Sequence, residues 1–511
     1  MAAWSDGYFT DIQYTRKFFP HMAPGLLAFA CLRQGIRPPN LGPGSTYLEL
    51  GCGQGFGLNL LAAANPAMQF WGVDFHPGQI ANAQQLAREG GLANIAFEDF
   101  SFSQVLDLPE GRIPRCDVIA LHGVLSWVSS ENRALIVRIL DRYLKPGGMV
   151  MVSYNTLPAW APLMPLRQFV KARFDRTVGP PQTRAVDAFR LAKELIALDA
   201  RALGSSSQVK GLIEVALKSD PAYLIHEYMN DHFHPLYHAD VARELDGARL
   251  TFAAAVNLSH DLISLAAPQP MQGLIQAETD PIWRETLLDY ANNRRFRSDV
   301  FVRGPNALGR GERQALLDQV RFSLARAPGQ VTFEFEIPIG SLKGDPGAYG
   351  AIVGALAKGP RSFGDLARLP PFDKASEEQL MKALGLLMTA GAVHPLAQGD
   401  GDADGARGFN GALLERLTID NAPTYLAAPV IGAGVRVELL DLLALKGAAD
   451  KASDHKAQAR QSWEMMSAAG ALLTKDGQIL SDQAAHEAEI LARLKAFEAE
   501  KLPLYRRLGV I

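Results

Sequence analysis

The sequence predicts an α/β fold in which a doubly wound, Rossmann-like sheet carries additional, mostly helical domains. Two observations lead to this prediction. Short apolar runs alternate with amphipathic helical patterns between residues 45 and 165, an order typical of a parallel sheet wound by helices. The first apolar run ends in a glycine-rich loop that leads into a helical stretch, and this context is typical of a ligand-binding loop at a sheet edge.

The glycine-rich loop lies in Tyr47–Gly57, which reads YLELGCGQGFG and precedes the apolar helical run Leu58–Ala64. Glycines let the backbone approach a ligand closely, but the spacing G-x-G-x-G-x-G differs from the G-x-G-x-x-G of dinucleotide folds. Glu49 places an anion beside the loop, which would repel a pyrophosphate and attract a cation. S-adenosylmethionine (AdoMet) carries an ammonium and a sulfonium, so we expect it here; the alternative is a tight structural turn. The predicted loop contacts are Glu49, Gly51, Cys52, Gly53 and Gly55.

The second predicted strand, Phe70–Asp74, ends in an acidic residue. An acid about 20 residues past such a loop can accept hydrogen bonds from two ribose hydroxyls. We therefore assign Asp74 to the ribose and expect Phe75 to pack on the adenine. The alternative role of Asp74 is to cap the helix that begins near Pro77.

The third predicted strand, Ile95–Phe97, is followed by Asp99 and Phe100. An acid at this place can accept a hydrogen bond from the adenine amino group. We therefore add both residues to the expected cofactor contacts, although acidic residues often follow strands.

The fourth and fifth predicted strands, Asp117–Leu121 and Met149–Tyr154, flank a helix at Glu131–Leu144. His122 follows the fourth strand and Asn155 follows the fifth. Ligands of open α/β sheets bind outside the carboxyl ends of the strands. We therefore expect both side chains at the site, with His122 also touching the cofactor.

Three stretches resemble one known family: Leu121–Trp160, His226–Phe252 and Arg284–Gly304. They are similar to bacterial class I methyltransferases with a methyltransferase regulatory domain, a group that includes rickettsial protein-lysine methyltransferases that modify an outer-membrane protein. The family usually has Pro-Gly-Trp where this chain has Pro158-Ala159-Trp160. The resemblance implies AdoMet as cofactor and a protein substrate, such as an outer-membrane or surface protein met before export.

The expected reaction is in-line displacement of a methyl group from sulfonium sulfur by an amine, with lysine as the acceptor. Free lysine has a pKa of about 10.4, and desolvation in an aromatic pocket lowers the pKa of an amine. Tyr154 or Asn155 would orient the amine, His122 would relay its proton, and Trp127 and Trp160 would form walls that favour a methylated cation. Ordinary packing is the alternative role of all five.

Two other functions stay open at this point. One is a methyltransferase that acts on a small molecule or a lipid precursor. The other is an AdoMet-binding regulatory scaffold without turnover.

Composition agrees with a cytoplasmic enzyme. The 511 residues are 48% apolar, carry a formal net charge of −3 and include three cysteines. These values argue against bulk attraction to nucleic acid and against a disulfide framework. No apolar run of about 18 residues predicts a membrane span. The histidines His226, His232, His234 and His238 match no zinc-site spacing, so we expect no metal and assign them to interdomain hydrogen bonds.

We divide the chain into five segments: a helical lid (1–44), the AdoMet-binding domain (45–165), a helical regulatory domain (166–330), a winged-helix-like module (331–400) and a helical C-terminal region (401–511). Tyr8–Arg37 is expected to be helical and to cover the cofactor pocket or to pack in the core. The module contains a strand at Val331–Ile337 and an acidic, apolar helix at Ser376–Ala390 that suits a protein surface better than DNA. Asp482–Lys501 suits packing or homodimerisation.

Overall fold

A computed structural model describes residues 7–10, 16–398, 403–449, 454–475 and 477–511. The strands of the chain are β1 (Thr46–Leu50), β2 (Gln69–Val73), β3 (Ile95–Glu98), β4 (Cys116–Leu121), β5 (Leu144–Asn155), β6 (Leu250–Ala255), β7 (Phe296–Arg303), β8 (Arg321–Leu324), β9 (Glu334–Ile337), β10 (Gly340–Lys343), β11 (Arg361–Ser362), β12 (Val393–Pro395), β13 (Tyr425–Ala428), β14 (Ala433–Arg436), β15 (Thr474–Lys475) and β16 (Gln478–Ile479).

The helices between residues 24 and 292 are α1 (Pro24–Arg33), α2 (Phe56–Ala64), α3 (Pro77–Glu89), α4 (Phe102–Asp107), α5 (Ser130–Tyr143), α6 (Met164–Arg176), α7 (Pro181–Ala197), α8 (Arg201–Gly204), α9 (Ser207–Ala216), α10 (Pro221–Tyr228), α11 (His238–Asp246), α12 (Ile263–Ala266), α13 (Gln269–Ala277) and α14 (Pro281–Asn292). Those that follow are α15 (Arg310–Gln319), α16 (Pro346–Ala357), α17 (Phe363–Ala367), α18 (Glu377–Thr389), α19 (Asp404–Glu415), α20 (Leu439–Ala449), α21 (His455–Ala468), α22 (Gln483–Ala496) and α23 (Leu502–Leu508).

A seven-stranded sheet in the order β3-β2-β1-β4-β5-β7-β6 organises the molecule. The strands β1 to β5 run parallel, and β7 is antiparallel to both β5 and β6. The predicted α/β class with extra helical regions is therefore confirmed. The strand order reverses direction between β1 and β4, which is where ligands of such sheets bind.

The strands β6 and β7 were missed, because the middle region was expected to be mostly helical. Two polar residues of β7, Arg297 and Asp299, are fully buried and disguise the apolar pattern that marks a core strand. The register places Asn155 beside Phe296 and Tyr154 beside Arg297. The sheet that begins in the predicted AdoMet-binding domain is thus completed by residues far along the chain.

A buried ionic network explains how Arg297 lies inside the protein. Its guanidinium donates to Asp299 Oδ2 at 2.6 Å, Asp289 Oδ1 at 2.8 Å and Glu285 Oε2 at 2.7 Å. Tyr154 also donates its hydroxyl to Asp299 Oδ2, at 2.8 Å. Burial alone would raise the pKa of Asp299, but the charge of Arg297 holds it below its ordinary value. The network joins β5, β7 and α14 through charges that depend on each other.

The N-terminal segment is not the long helix that was expected over Tyr8–Arg37. Pro20 opens a short 3-10 turn and Pro24 opens α1, which ends at Arg33. Each proline lacks the N–H that a continuous helix would need at its position. Residues 16–19 have no regular secondary structure and lead to the 3-10 turn, and residues 11–15 lie outside the described part of the chain.

The winged-helix-like region packs onto the rest of the chain. The helices α16, α17 and α18 follow the expected order, and β8 joins β11 and β12 in a three-stranded sheet. Ser376 and Gln379 form the predicted capping box. Gly385 of α18 approaches Leu258 so closely that a Cβ would lie 2.3 Å from Leu258 Cδ2. The apolar face of α18 is therefore covered by the chain itself.

One strand and one helix have bounds that differ from the predicted ones. The strand expected at Val331–Ile337 is shorter and forms the hairpin β9–β10. The helix expected over Asp482–Lys501 begins at its N-cap Asp482 and continues through a π-helical turn into α23, so Pro503 lies in a first helical turn and not beyond a helix end. Across the described residues, no helix combines the length and apolarity that crossing a bilayer requires.

Candidate active site

A cavity of about 540 Å³ opens at the carboxyl ends of β1, β4 and β5, a volume in the range of sites for small molecules and cofactors. Its floor is the glycine-rich loop. Further walls come from the N-terminal segment, from the residues after β2, β3 and β4, from α10 and from the start of β7. The cavity therefore lies at the point where the strand order reverses.

The glycine-rich loop requires glycine at two of its positions for steric reasons. Gly51 has φ +75° and Gly55 has φ +65°, in the left-handed region that favours glycine. A Cβ on Gly51 would lie 2.7 Å from Val124 Cγ2, and one on Gly55 would lie 2.5 Å from Ala83 Cβ. The loop thus keeps a backbone surface against the cavity, with Cys52 and Gly53 also in its wall.

Asp74 joins the loop to the end of β2. Its Oδ2 accepts a hydrogen bond from Gly53 N at 2.9 Å, and its Oδ1 accepts one from His76 N at 3.0 Å. Burial raises the pKa of Asp74, while the two backbone donors act in the opposite direction. Each carboxylate oxygen keeps a further lone pair for a ribose hydroxyl. The two roles predicted as alternatives, ligand contact and local cap, are compatible.

Glu49 is a buried acid in the cavity wall with an unsatisfied oxygen. Its Oε2 has no hydrogen-bond partner among the residues that the structure describes. Burial, followed by the charge of Asp74, raises the pKa of Glu49 to about 8. A carboxylate without a partner is costly to bury, and a cationic ligand would remove that cost. The residues present therefore fit the ammonium and sulfonium of AdoMet.

His122 lies at the other end of the cavity in a short hydrogen-bonded chain. His122 Nδ1 lies 3.0 Å from His21 Nε2 and 2.9 Å from Ser153 Oγ. Burial lowers the pKa of His21 to about 4 and lowers that of His122 well below its ordinary value. Both imidazoles are consequently neutral at pH 7, so neither adds positive charge beside a sulfonium.

Aromatic rings enclose this end of the cavity. The Phe19 ring lies 3.7 Å and the Phe296 ring 5.9 Å from the His122 ring, centroid to centroid. Trp127 also lines the cavity. Asn155 lies in the same wall, and its side-chain amide has no hydrogen-bond partner among the described residues. An apolar enclosure with one free amide suits a desolvated amine.

The structure brings most of the predicted site residues into this cavity. Those in its wall are Glu49, Gly51, Cys52, Gly53, Gly55, Asp74, Phe75, Phe100, His122, Trp127 and Asn155. Asp99 is exposed and outside the wall, where Ser101 and Phe102 contribute instead.

Tyr154 and Trp160 are not placed in the cavity wall. Successive side chains of a strand point to opposite faces. Asn155 lines the cavity and Ser153 contacts the cavity residue His122, whereas Tyr154 points away, into the Arg297 network. Trp160 is buried behind the wall, where its ring and that of Trp127 both pack against Phe233 at centroid distances of 4.8 and 4.7 Å. Both residues support the site from outside.

The N-terminal segment lines the cavity, which is one of the two roles expected for it, whereas the wall formed by α10 was not predicted. The residues of this segment in the cavity wall are Tyr8, Arg16, Lys17, Phe19, His21 and Met22. From α10 come Tyr223, His226 and Glu227. No motif marks these positions, because tertiary packing alone brings them to the loop.

The four histidines considered as metal ligands do not form one cluster. His226 lines the cavity, His238 joins the buried network through Asp299, and the rings of His232 and His234 lie 5.8 Å apart elsewhere. Within the described ranges, no group of three or more His, Cys, Asp or Glu side chains is arranged to hold a metal.

Comparison with known proteins identifies the family. Residues 41–178 match a family described as a methyltransferase domain, and residues 220–303 match a predicted methyltransferase regulatory domain. An uncharacterized protein of Synechocystis sp. is 31% identical over 99% of both chains. The chain belongs to the methyltransferases that carry this regulatory domain.

Two further proteins are similar to this methyltransferase. An uncharacterized protein of Rickettsia prowazekii is 28% identical over 52% of this chain and 47% of its own. The structure of PKMT2 from Rickettsia typhi in complex with AdoHcy superposes with a TM-score of 0.70 at 20% identity, covering 97% of this chain and 99% of that one. The similarity to PKMT2 shows that the two proteins share the whole fold.

The regulatory-domain segment of this AdoMet-dependent methyltransferase is part of the sheet and of the cavity wall. It contains β6 and β7, which complete the cofactor sheet, and α10, which lines the cavity. The departure at Ala159 leaves the backbone unstrained: Ala159 is not among the described non-glycine residues with positive φ, which are Asp199, Arg249 and Asn293.

AdoMet affinity is expected to rise with pH between about 6 and 8, because Glu49 must lose its proton to receive a cation. With a pKa of about 8 in the free protein, the affinity should fall by up to about tenfold per pH unit below that value. Calorimetry at several pH values measures this slope.

The matched control is Glu49→Gln, whose residual slope reports the ligand's own amino group, with a pKa of about 8. Identical slopes for the wild type and Glu49→Gln would show that Glu49 does not titrate on binding.

Proposed function

We propose that this AdoMet-dependent methyltransferase N-methylates lysine side chains of a protein substrate. The observation that carries the proposal is the neutral, aromatic end of the cavity, whose wall contains both Asn155 and His122. The resemblance to rickettsial protein-lysine methyltransferases and the fold shared with PKMT2 support the same substrate class. We also propose that the reaction takes place in the cytoplasm, before any export of the substrate.

The mechanism follows from what the chain presents at this end of the cavity. AdoMet, when bound, supplies an activated methyl group. Phe19, Trp127 and Phe296 exclude water and lower the pKa of an entering amine. Asn155 accepts a hydrogen bond from that amine through Oδ1 and holds its lone pair in line for attack.

His122 and His21 provide a path for the proton that the amine loses before attack. Both imidazoles are neutral, so His122 can receive the proton and pass it on to His21 across the 3.0 Å contact. Both imidazoles bind a proton weakly, so the half-buried His21 releases it to solvent and the pair returns to its neutral state.

A small acceptor molecule is the second candidate. The cavity itself would admit one, since its volume of about 540 Å³ exceeds what a cofactor end group needs. The extended walls from the regulatory segment favour a larger substrate.

The deciding experiment supplies deuterium-labelled AdoMet to the purified chain together with a lysate of cells that lack it. Mass spectrometry then follows the label in separated protein and small-molecule fractions. Label on protein lysines supports the proposal, whereas label confined to small molecules contradicts it. Binding of AdoMet with no S-adenosylhomocysteine release in either fraction would indicate a regulatory scaffold.

Asn155→Ala is expected to lower kcat about 100-fold, since the amine loses the group that aligns it. AdoMet affinity should stay within about twofold, because Asn155 lies away from Glu49 and Asp74. Single-turnover assays and calorimetry measure the two quantities.

Tyr154→Phe serves as the neighbouring control on the same strand. Its hydroxyl lies in the buried network, so the variant should lose thermal stability while retaining kcat. A selective loss of kcat in Tyr154→Phe would reverse the two assignments.

A further inference from the structure

Glu227 is an acid of the cavity wall that the methyl-transfer mechanism does not use. It lies near the end of α10 and is partly buried. Its carboxylate makes no hydrogen bond and no ion pair within 4 Å to any described residue. Burial raises the pKa of Glu227 to about 7, and the positive charge of Lys17 acts against that rise. The Glu227 carboxylate therefore lies in the cavity wall with no cation of the described residues in direct contact with it.

Lys17 shows which kind of cation this wall accommodates. Its Nζ lies 5.8 Å from the centroid of the Tyr223 ring, within the range of a cation–π interaction. Tyr223 stands one helical turn before Glu227 on α10, so the two side chains share a helix face. An aliphatic ammonium thus already lies at the ring, close enough to influence the carboxylate.

The segment that holds Lys17 is hydrogen-bonded to the glycine-rich loop. The neighbouring Arg16 donates through Nε to Gln54 Oε1 at 2.9 Å. Lys17 itself is exposed at the mouth of the cavity and makes no contact ion pair with Glu227. It can therefore leave the Tyr223 ring without breaking a hydrogen bond of the described structure.

The AdoMet contacts lie on a different wall. Glu49 lies in β1 and Asp74 follows β2, whereas Tyr223 and Glu227 belong to α10. Tyr8 stands between the two walls, with its ring 6.0 Å from that of Phe75 and 5.8 Å from that of His226. A cation at Glu227 would therefore be a second ligand, bound in addition to AdoMet.

We propose that Tyr223 and Glu227 form the binding site for a basic side chain of the substrate. In the free enzyme, the side chain of Lys17 occupies the position of that substrate side chain. The ligand class is a lysine-containing peptide segment, so the inference deepens the proposed function and rests on it. The regulatory segment then contributes substrate recognition directly: α10 provides the aromatic ring and the carboxylate, and the N-terminal segment withdraws its own cation when the substrate enters.

The test measures binding of Nα-acetyl-L-lysine N-methylamide to the full chain by calorimetry, with S-adenosylhomocysteine at saturation. Glu227→Gln should weaken binding at least tenfold, because a charge-assisted contact is lost. Lys17→Met should tighten binding at least threefold, because the competing cation is removed. Lys17 is exposed, so this second variant does not endanger the fold.

Three controls accompany the test. Glu131→Gln, an exposed acid on α5, should leave binding unchanged. The uncharged analogue Nα-acetyl-L-norleucine N-methylamide should not distinguish Glu227→Gln from the wild type. The affinity for S-adenosylhomocysteine should stay the same in every variant, which confirms an intact cofactor site.

Wild-type affinity of Glu227→Gln for the lysine probe would overturn the inference, and so would a Lys17→Met variant that binds it no more tightly. A failure of the proposed function can be distinguished from a failure of this binding site. Glu227-dependent binding of the probe without label on any protein lysine keeps the site and rejects lysine methylation. Labelled lysines together with an unaffected Glu227→Gln reject the site alone.

Discussion

The Asp74→Asn variant is expected to lose AdoMet affinity by about 100-fold or more. Each carboxylate oxygen of Asp74 accepts a backbone N–H, from Gly53 and from His76. An amide nitrogen in either orientation would face one of these donors, so the loop cannot keep its shape. One buried donor is left unsatisfied and the ribose contacts weaken, which together cost about 3 kcal/mol. Calorimetry with AdoMet and with S-adenosylhomocysteine measures the loss.

Asp99→Asn is the matched control for this variant. Asp99 also follows a strand of the sheet but is exposed and outside the cavity wall, so its AdoMet affinity should equal that of the wild type. An Asp74→Asn variant that binds within threefold of the wild type would show that Asp74 neither shapes the loop nor touches the ribose.

The Arg297→Met variant is expected to destabilise the fold by about 3–5 kcal/mol, the usual cost of removing one partner from a buried ionic group. The guanidinium holds Asp299, Asp289 and Glu285 together. Methionine would leave these three buried carboxylates with one remaining guanidinium, that of Arg294 beside Glu285 and Asp289, so negative charge in the interior would stay unpaired. Denaturant unfolding measures the free-energy change. Arg243→Met, which removes an exposed ion pair with Asp240, should produce no measurable change.

The pH dependence of this loss has a defined sign. In the wild type the pKa of Asp299 is lowered, so its stabilisation is present above the unfolded-state pKa and disappears at strongly acidic pH. In Arg297→Met the unpaired carboxylates have raised pKa values, so they favour the folded state when protonated. The deficit should therefore shrink as the pH falls from 8 towards 5. A deficit independent of pH would indicate a packing defect and not unpaired charge.

The cofactor half of the site was predictable because its determinants are local. Gly51 and Gly55 must be glycine for steric reasons, Glu49 lies beside the loop in sequence, and Asp74 closes the next strand. Each of these constraints acts within one strand–loop–helix unit, so the pattern of residue types carries it directly.

The part of the site that would receive the acceptor amine was less predictable. It depends on the alternation of side chains along β5 and on residues that lie far apart in the sequence. Tyr154 and Asn155 looked equivalent, yet the pleat of β5 turns one side chain into the network and the other into the cavity. Lys17, Tyr223 and Glu227 come from two regions that only the tertiary fold brings together. Buried polar residues such as Arg297 also disguise β7, since the charges that pair with it are not visible in its own strand.

The placement of β7 beside β5 has a consequence during synthesis. Until the ribosome has released Arg303, the hydrogen-bonding edge of β5 has no neighbour and stays open to other chains. At elongation rates of about 5–20 residues per second this interval lasts on the order of ten seconds. The nascent polypeptide therefore needs shielding at that edge, and a gene fragment that stops short of this strand would yield an aggregation-prone product.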